Sequence, residues 1–204
     1  MLEVTNLECA RGDRSLFRHL GFALEPGRLL HVTGANGSGK TTLLRTLCGL
    51  TRPAAGEVRW GGEDIRALGD DYRRILAYVG HSHGIQAELT PPENLRAAAG
   101  LAGGADESRI EAILERLALL PYHDFPAKIL SQGQQRRLAL ARLALLSRPL
   151  WILDEPLSAL DARSVALTME ILTEHLAGGG LAVLTSHQDL TVEIRTLVTL
   201  NLDT

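Results

Sequence analysis

The stretch GANGSGKTT, from Gly34 to Thr42, has the composition and spacing of a phosphate cradle. Gly34, Gly37 and Gly39 let the backbone curl so that successive N–H groups point inward at an anion, with Ala35, Asn36 and Ser38 between them. Lys40 supplies a mobile charge for β- and γ-phosphates, and Thr41 a hydroxyl for Mg2+. Thr42 either caps the next helix or reaches the α-phosphate. A second group of chemically useful residues closes LWILDEP. Asp154 stands where a carboxylate can hold Mg2+ through water, and Glu155 beside it can polarise an attacking water. A triphosphate grip and an acidic pair together point to hydrolysis of a nucleoside triphosphate.

Such residues work only if the chain positions them. RLLHVTG is an apolar run ending in glycine, and KTTLLRTLCGL has helical spacing, so the loop lies between a strand and a helix. LEVTNL and LFRHLGFAL read as β segments around the polar turn RGDRS, GEVRWGGEDI as a hairpin turning at Gly61-Gly62, and ILAYVG as a strand. From about Pro91 to Ser147 helical patterns take over: PENLRAAAGLA, DESRIEAILERLALL and SQGQQRRLALARLALLS. Pro121 and Pro126 stop helices in the loop before the last of these. The α/β pattern then returns with the strand LWILDEP, the amphipathic helix DARSVALTMEILTEHLA, the glycine stop GGG and the buried strand LAVLTSH. This is an α/β core interrupted by a helical insert.

Composition narrows the classes. At 204 residues with 45% apolar content, the chain can bury one substantial core. A net charge of −3 argues against a dedicated nucleic-acid binder. Cys9 and Cys48 lack metal or secreted-domain spacing and read as reduced packing residues. The N-terminus lacks an apolar signal core, and no uninterrupted apolar run of about 18 residues exists, so the chain is expected to be soluble on its own.

Two further features sharpen the reading. LSQGQQRR, Leu130 to Arg137, precedes the acidic strand, and LTSHQ puts His187 at the end of the next strand. In order and spacing the chain resembles the ATP-binding-cassette (ABC) family over nearly its whole length. The resemblance implies a P-loop NTPase core of RecA type with an antiparallel β subdomain. It places the α/β core at about 1–80 and 148–204 and the helical subdomain at about 81–147. It also implies two chains sandwiching two ATPs with Mg2+. Ser131, Gly133 and Gln134 would face the nucleotide of the opposing chain, and His187 the γ-phosphate of its own. Ser158 to Asp161 would form the turn that crosses between subunits, and Glu155 and His187 would be catalytic.

More narrowly, YVGHSHGIQAELTPPENL, GEVRWGG, the run from Leu130 to Asp161 and LTSHQ resemble the CcmA-type ATPase subunits of cytochrome c maturation, described as haem exporter ATP-binding proteins. This implies a peripheral subunit on the cytoplasmic face of the bacterial inner membrane, in which two copies drive separate integral membrane subunits. ATP hydrolysis would power haem movement or release of a haem-loaded chaperone, without haem binding to this chain. An ABC ATPase for a lipid, peptide or metal complex is the alternative. A soluble ABC protein acting on nucleic acid or ribosomes would carry two cassettes or a long coiled-coil insertion, and neither is present.

The chain departs from the ABC pattern in three places. Arg11 stands where an aromatic usually stacks on adenine; it either stacks its guanidinium on the base or is a solvated turn residue. Gln132 replaces the first glycine of the signature, leaving Gly133 to approach the phosphate. His81 replaces a glutamine that senses nucleotide and relays its state to the membrane partner. A neutral imidazole can make one such hydrogen bond but titrates near neutrality. A solvated loop role, or a metal or haem ligand role with His83, are the alternatives for His81. No nearby set of ligands completes a metal site.

Overall fold

A computed structural model describes residues 1–12, 14–80, 84–100, 103–104, 106–158, 160–186, 190 and 197–203. The chain opens with β1 (Leu2–Arg11), β2 (Arg14–Leu24) and β3 (Leu29–Thr33), then α1 (Lys40–Leu47). β4 (Ala55–Trp60) and β5 (Glu63–Asp64) follow, then the short helices α2 (Ile65–Leu68) and α3 (Asp70–Ile75), and β6 (Leu76–Val79). Helices α4 (Pro91–Gly100), α5 (Glu107–Arg116) and α6 (Gln132–Leu146) come next. The chain closes with β7 (Leu150–Leu153), α7 (Ala162–Ala177), β8 (Leu181–Thr185) and β9 (Leu197–Asn201).

The strands form an antiparallel sheet in the order β2-β1-β4-β5 and a parallel sheet in the order β6-β7-β8-β3-β9. Every residue of β7 and β8 is buried, as a parallel sheet covered on both faces requires. Side chains alternate between faces along each strand. Trp151, Leu153, Ala182 and Leu184 point into a core shared with α4 to α7. Leu150, Ile152, Leu181 and Val183 point the other way, toward Leu43, Leu44 and Leu47 of α1 and Leu2, Val4 and Val58 of the antiparallel sheet. Each fully buried leucine contributes about 2 kcal/mol, so the two cores clamp the central strands from both sides.

The hairpin at Gly61-Gly62 has both glycines at positive φ, 60° and 89°, the condition for a tight two-residue turn. Three elements go beyond the periodic pattern. Helices α2 and α3 are short, four and six residues, α2 capped by Asp64 and α3 anchored by buried Tyr72, whose hydroxyl donates to the Leu47 carbonyl at 2.7 Å. β9 is a half-exposed edge strand, LVTLN, recognisable only from its parallel pairing with β3. The first hairpin is also tighter than RGDRS suggests, because pairing continues to Arg11↔Arg14.

Candidate active site

The phosphate loop joins the carboxyl end of β3 to α1, the position at which open α/β sheets bind ligands. Gly34, Gly37 and Gly39 have φ of 142°, 85° and 107°, in the region side chains disfavour. A Cβ on Gly34 would lie 2.6 Å from Ser38 Oγ, which together with its φ of 142° favours glycine there. Gly39 precedes α1 and gives it no side-chain cap, so the first amides and the positive end of the helix dipole face the loop. Lys40 is buried, and its Nζ donates to the carbonyls of Gly34 at 2.5 Å and Ala35 at 3.1 Å. An ammonium has three protons; one remains for a phosphate oxygen. Thr42 has its carbonyl engaged by Thr46 Oγ1 at 2.9 Å.

The acids arrive from β7. Asp154 is 5% exposed, and its two oxygens are held separately. Thr41 Oγ1 donates to Oδ2 at 2.9 Å and Thr185 Oγ1 donates to Oδ1 at 2.7 Å. Thr185 Oγ1 also accepts the Glu155 amide at 2.9 Å, so one hydroxyl orients both acids. Glu155 sits at φ 52°, a backbone state costing a side-chain-bearing residue about 1 kcal/mol or more. A cavity of about 350 Å³ brings the two groups together, lined by Asn36, Lys40, Thr41, Asp154 and Glu155, with Arg11 and Arg14 at its wall. Thr185 escaped the sequence reading. Its signal was a hydroxyl ending a wholly apolar strand, meaningful only once β8 is known to neighbour β7.

The signature residues are elsewhere. Ser131 caps α6, accepting the Gln134 amide at 3.3 Å, while Gln134 Oε1 accepts the Ser131 amide at 2.7 Å. The side chain of Gln134 is thus engaged in a capping box. Ser131 and Gln132 are exposed and Gly133 is half-buried, and none of them lines the phosphate cavity. Arg136 donates to the carbonyl and hydroxyl of Ser158, tying α6 to the turn after the acids. Burial pulls the Arg136 guanidinium below its ordinary pKa, and the charges of Glu155 and Asp154 oppose that shift. Arg142 donates to Tyr78 O at 3.3 Å and Gly84 O at 2.6 Å, straddling residues 81–83. Asp161 is exposed and caps α7 by accepting the Ser164 amide at 2.7 Å, a bond that lowers its pKa. His81, His83, Ala159 and His187 lie outside the described residues.

Comparison with known proteins agrees with this arrangement. The sequence profile described as ABC transporter matches residues 17–158, more than half of the chain. A Methylococcus capsulatus protein, "Cytochrome c biogenesis ATP-binding export protein CcmA", is 55% identical over 91% of this chain and 90% of its own length. The chain belongs to the CcmA family of ABC transporter ATPases. A CcmA protein of Dechloromonas aromatica is 52% identical over 99% of this chain and 100% of its own. A solved structure titled "Structure of ATP binding subunit of ABC transporter" superposes with a TM-score of 0.88 at 28% identity, covering 98% of this chain and 85% of that one. The P-loop α/β fold with an antiparallel sheet and the ATP-hydrolysing activity expected from the sequence are those of this family. Like other ABC ATPases, the CcmA-family chain binds ATP. Among its described residues, no helix is long and apolar enough to cross a membrane.

Proposed function

We propose that this chain hydrolyses ATP to drive an export step of cytochrome c biogenesis, with haem or a haem-loaded chaperone as cargo. The observation carrying the proposal is identity of 52–55% to export proteins of that name over 91–99% of the chain. In this reading the loop of residues 34–42 wraps the triphosphate, with the Ala35 amide held from outside by Asp203, and the third proton of Lys40 meets its β- and γ-oxygens. Thr41 and Asp154 are hard oxygen donors already joined at 2.9 Å, a set that suits Mg2+. That ion would supply charge neutralisation on the phosphate oxygens. Glu155 orients and polarises the attacking water, and His187 contacts the γ-phosphate from its own chain. A second copy contributes Ser131 and Gly133: the Ser131 hydroxyl already accepts one hydrogen bond and keeps its own proton for the phosphate.

The same reading gives the chain separate integral membrane partners and a peripheral place on the cytoplasmic face of the inner membrane. A cleft of about 330 Å³ lined by Tyr78, Gly84, Ile85, Leu95 and Arg142 offers such a partner a docking place and supports this reading. His81, in the glutamine's position, would sense nucleotide and pass its state to the helical insert. Haem would pass through the membrane subunits rather than bind this chain.

The test uses the chain co-expressed with its membrane companions. Glu155→Gln should retain ATP, lose hydrolysis by about 10²-fold or more, and accumulate an ATP-bound dimer; retained turnover would remove Glu155 from the chemistry. Holocytochrome c formation in the same cells should fall with it. Normal holocytochrome c despite absent ATPase activity would assign the chain another cargo, such as a lipid, peptide or metal complex.

A further inference from the structure

The segment after β9 returns to the phosphate loop. β9 runs parallel to β3 in a register that ends at Thr33↔Asn201. The Leu202 amide then donates to the Thr33 carbonyl at 3.1 Å, and its side chain is buried in the core beneath the antiparallel sheet. Thr33 Oγ1 donates to Leu200 O at 3.4 Å, and the Asp203 amide donates to Asn201 Oδ1 at 3.0 Å. These contacts deliver the Asp203 carboxylate to the base of the loop. There the Ala35 amide donates to Asp203 Oδ1 at 2.8 Å and Oδ2 at 2.9 Å.

Ala35 is therefore held from both sides. Its N–H is fixed by Asp203, and its carbonyl accepts from Lys40 Nζ at 3.1 Å. The neighbouring Gly34 carbonyl takes the second proton of Lys40 at 2.5 Å, and a Cβ on Gly34 would come within 3.2 Å of Asp203 Oδ1. The direction of the third Lys40 proton depends on where these two carbonyls stand. A backbone amide bonded to a carboxylate is among the stronger neutral-donor contacts a protein makes.

We propose that Asp203 is a positioning residue for nucleotide binding: by clamping the Ala35 amide from outside the loop, it sets the two carbonyls that aim Lys40 at the phosphates. The proposal rests on reading residues 34–42 as the phosphate loop. It predicts that the need is for a hydrogen-bond acceptor, not for a negative charge, because charge beside a triphosphate is unfavourable in itself.

The test measures binding of ADP and of the non-hydrolysable adenylyl imidodiphosphate, with Mg2+, to the full chain by calorimetry. Asp203→Ala should weaken the triphosphate analogue about tenfold and ADP less, as expected for loss of one charge-assisted bond. Asp203→Asn keeps a carbonyl acceptor for Ala35 and should bind as tightly as the parent or tighter. Unchanged binding by Asp203→Ala overturns the proposal. So do equal losses in the Ala and Asn variants, which would assign the effect to charge. So does an equal loss for both nucleotides accompanied by a lower Tm, which marks a structural role alone. Lys40→Ala serves as the reference. If it binds both nucleotides normally, the phosphate-loop reading fails and Asp203 falls with it. If only Asp203→Ala is silent, the loop stands and Asp203 alone is dismissed.

Discussion

The phosphate end of the parallel sheet and the tip of α6 are built in opposite ways. At the first, the chemically useful groups are wired by side-chain bonds: Thr41 and Thr185 to Asp154, Thr185 to the Glu155 amide, Lys40 to the loop carbonyls. At the second, Ser131 and Gln134 bond only to each other's residues within one turn, on a surface open to solvent. The first is a site preorganised by its own fold. The second satisfies its local capping needs and leaves a bare helix end, with no acid in its first turn, available to an anion from outside. Only α6 itself is tied back toward the acids, through Arg136 and Ser158. The contrast is the one that the proposed pairing of two copies requires.

Thr185→Val offers the largest effect inside the wired end. Shape is nearly kept, but Asp154 Oδ1 loses a donor and the half-buried Glu155 amide loses its acceptor. Stability of the single chain should fall by about 2 kcal/mol in chemical denaturation, and turnover in the assembled complex by roughly tenfold or more. An unaltered variant would show that the acids are placed by the strand ends alone.

Ser131→Ala tests the other end. Losing the cap should cost about 1 kcal/mol of stability. Nucleotide binding to the single chain should not change, while ATP-induced dimerisation, read by light scattering, and hydrolysis in the assembled complex should fall severalfold. A defect in single-chain binding would break the contrast, because it would put Ser131 in the same site as Lys40.

The smallest effect is expected at the opposite end of the strands, near the starts of β7 and β8. There the His175 ring stacks on Trp151 with centroids 3.9 Å apart and an interplanar angle of 6°, and its Nε2 donates to Leu181 O at 3.1 Å. Burial lowers its pKa from the ordinary 6.5, with the Leu181 hydrogen bond opposing. A histidine with a depressed folded pKa contributes stability that is complete above the unfolded value. That stability is lost as pH falls from about 6.5 through the folded value. Tm should therefore decline on mild acidification, and His175→Phe, which keeps a stacked ring, should flatten that decline while leaving nucleotide affinity intact. A persistent decline in His175→Phe would assign the acid sensitivity to other groups.

Much of the fold was legible because it is written in local patterns. The apolar runs at 29–33, 150–153 and 181–185, the glycine loop before α1 and the helical periodicity between 91 and 146 announce themselves within a few residues. β9 was not legible, since LVTLN is half exposed and becomes a strand only beside β3. The acidic pair was visible as a strand ending in two carboxylates, yet the hydroxyl that holds both could not be identified from LTSHQ. Ser131 could be read as a cap, while the place of Gln134 in that cap depended on side-chain geometry.

What the residue order determined by itself was the set of short-range devices: three glycines that permit a phosphate cradle, a lysine and threonine at its end, an acid pair after an apolar strand. Their physics is contained in neighbouring peptide units. What the tertiary structure alone decided was which distant groups complete them. Thr185 meets Asp154 because β8 lies next to β7, and Asp203 meets Ala35 because β9 lies next to β3. Strand adjacency comes from packing two hydrophobic faces over the whole chain, and no stretch of a few residues encodes it.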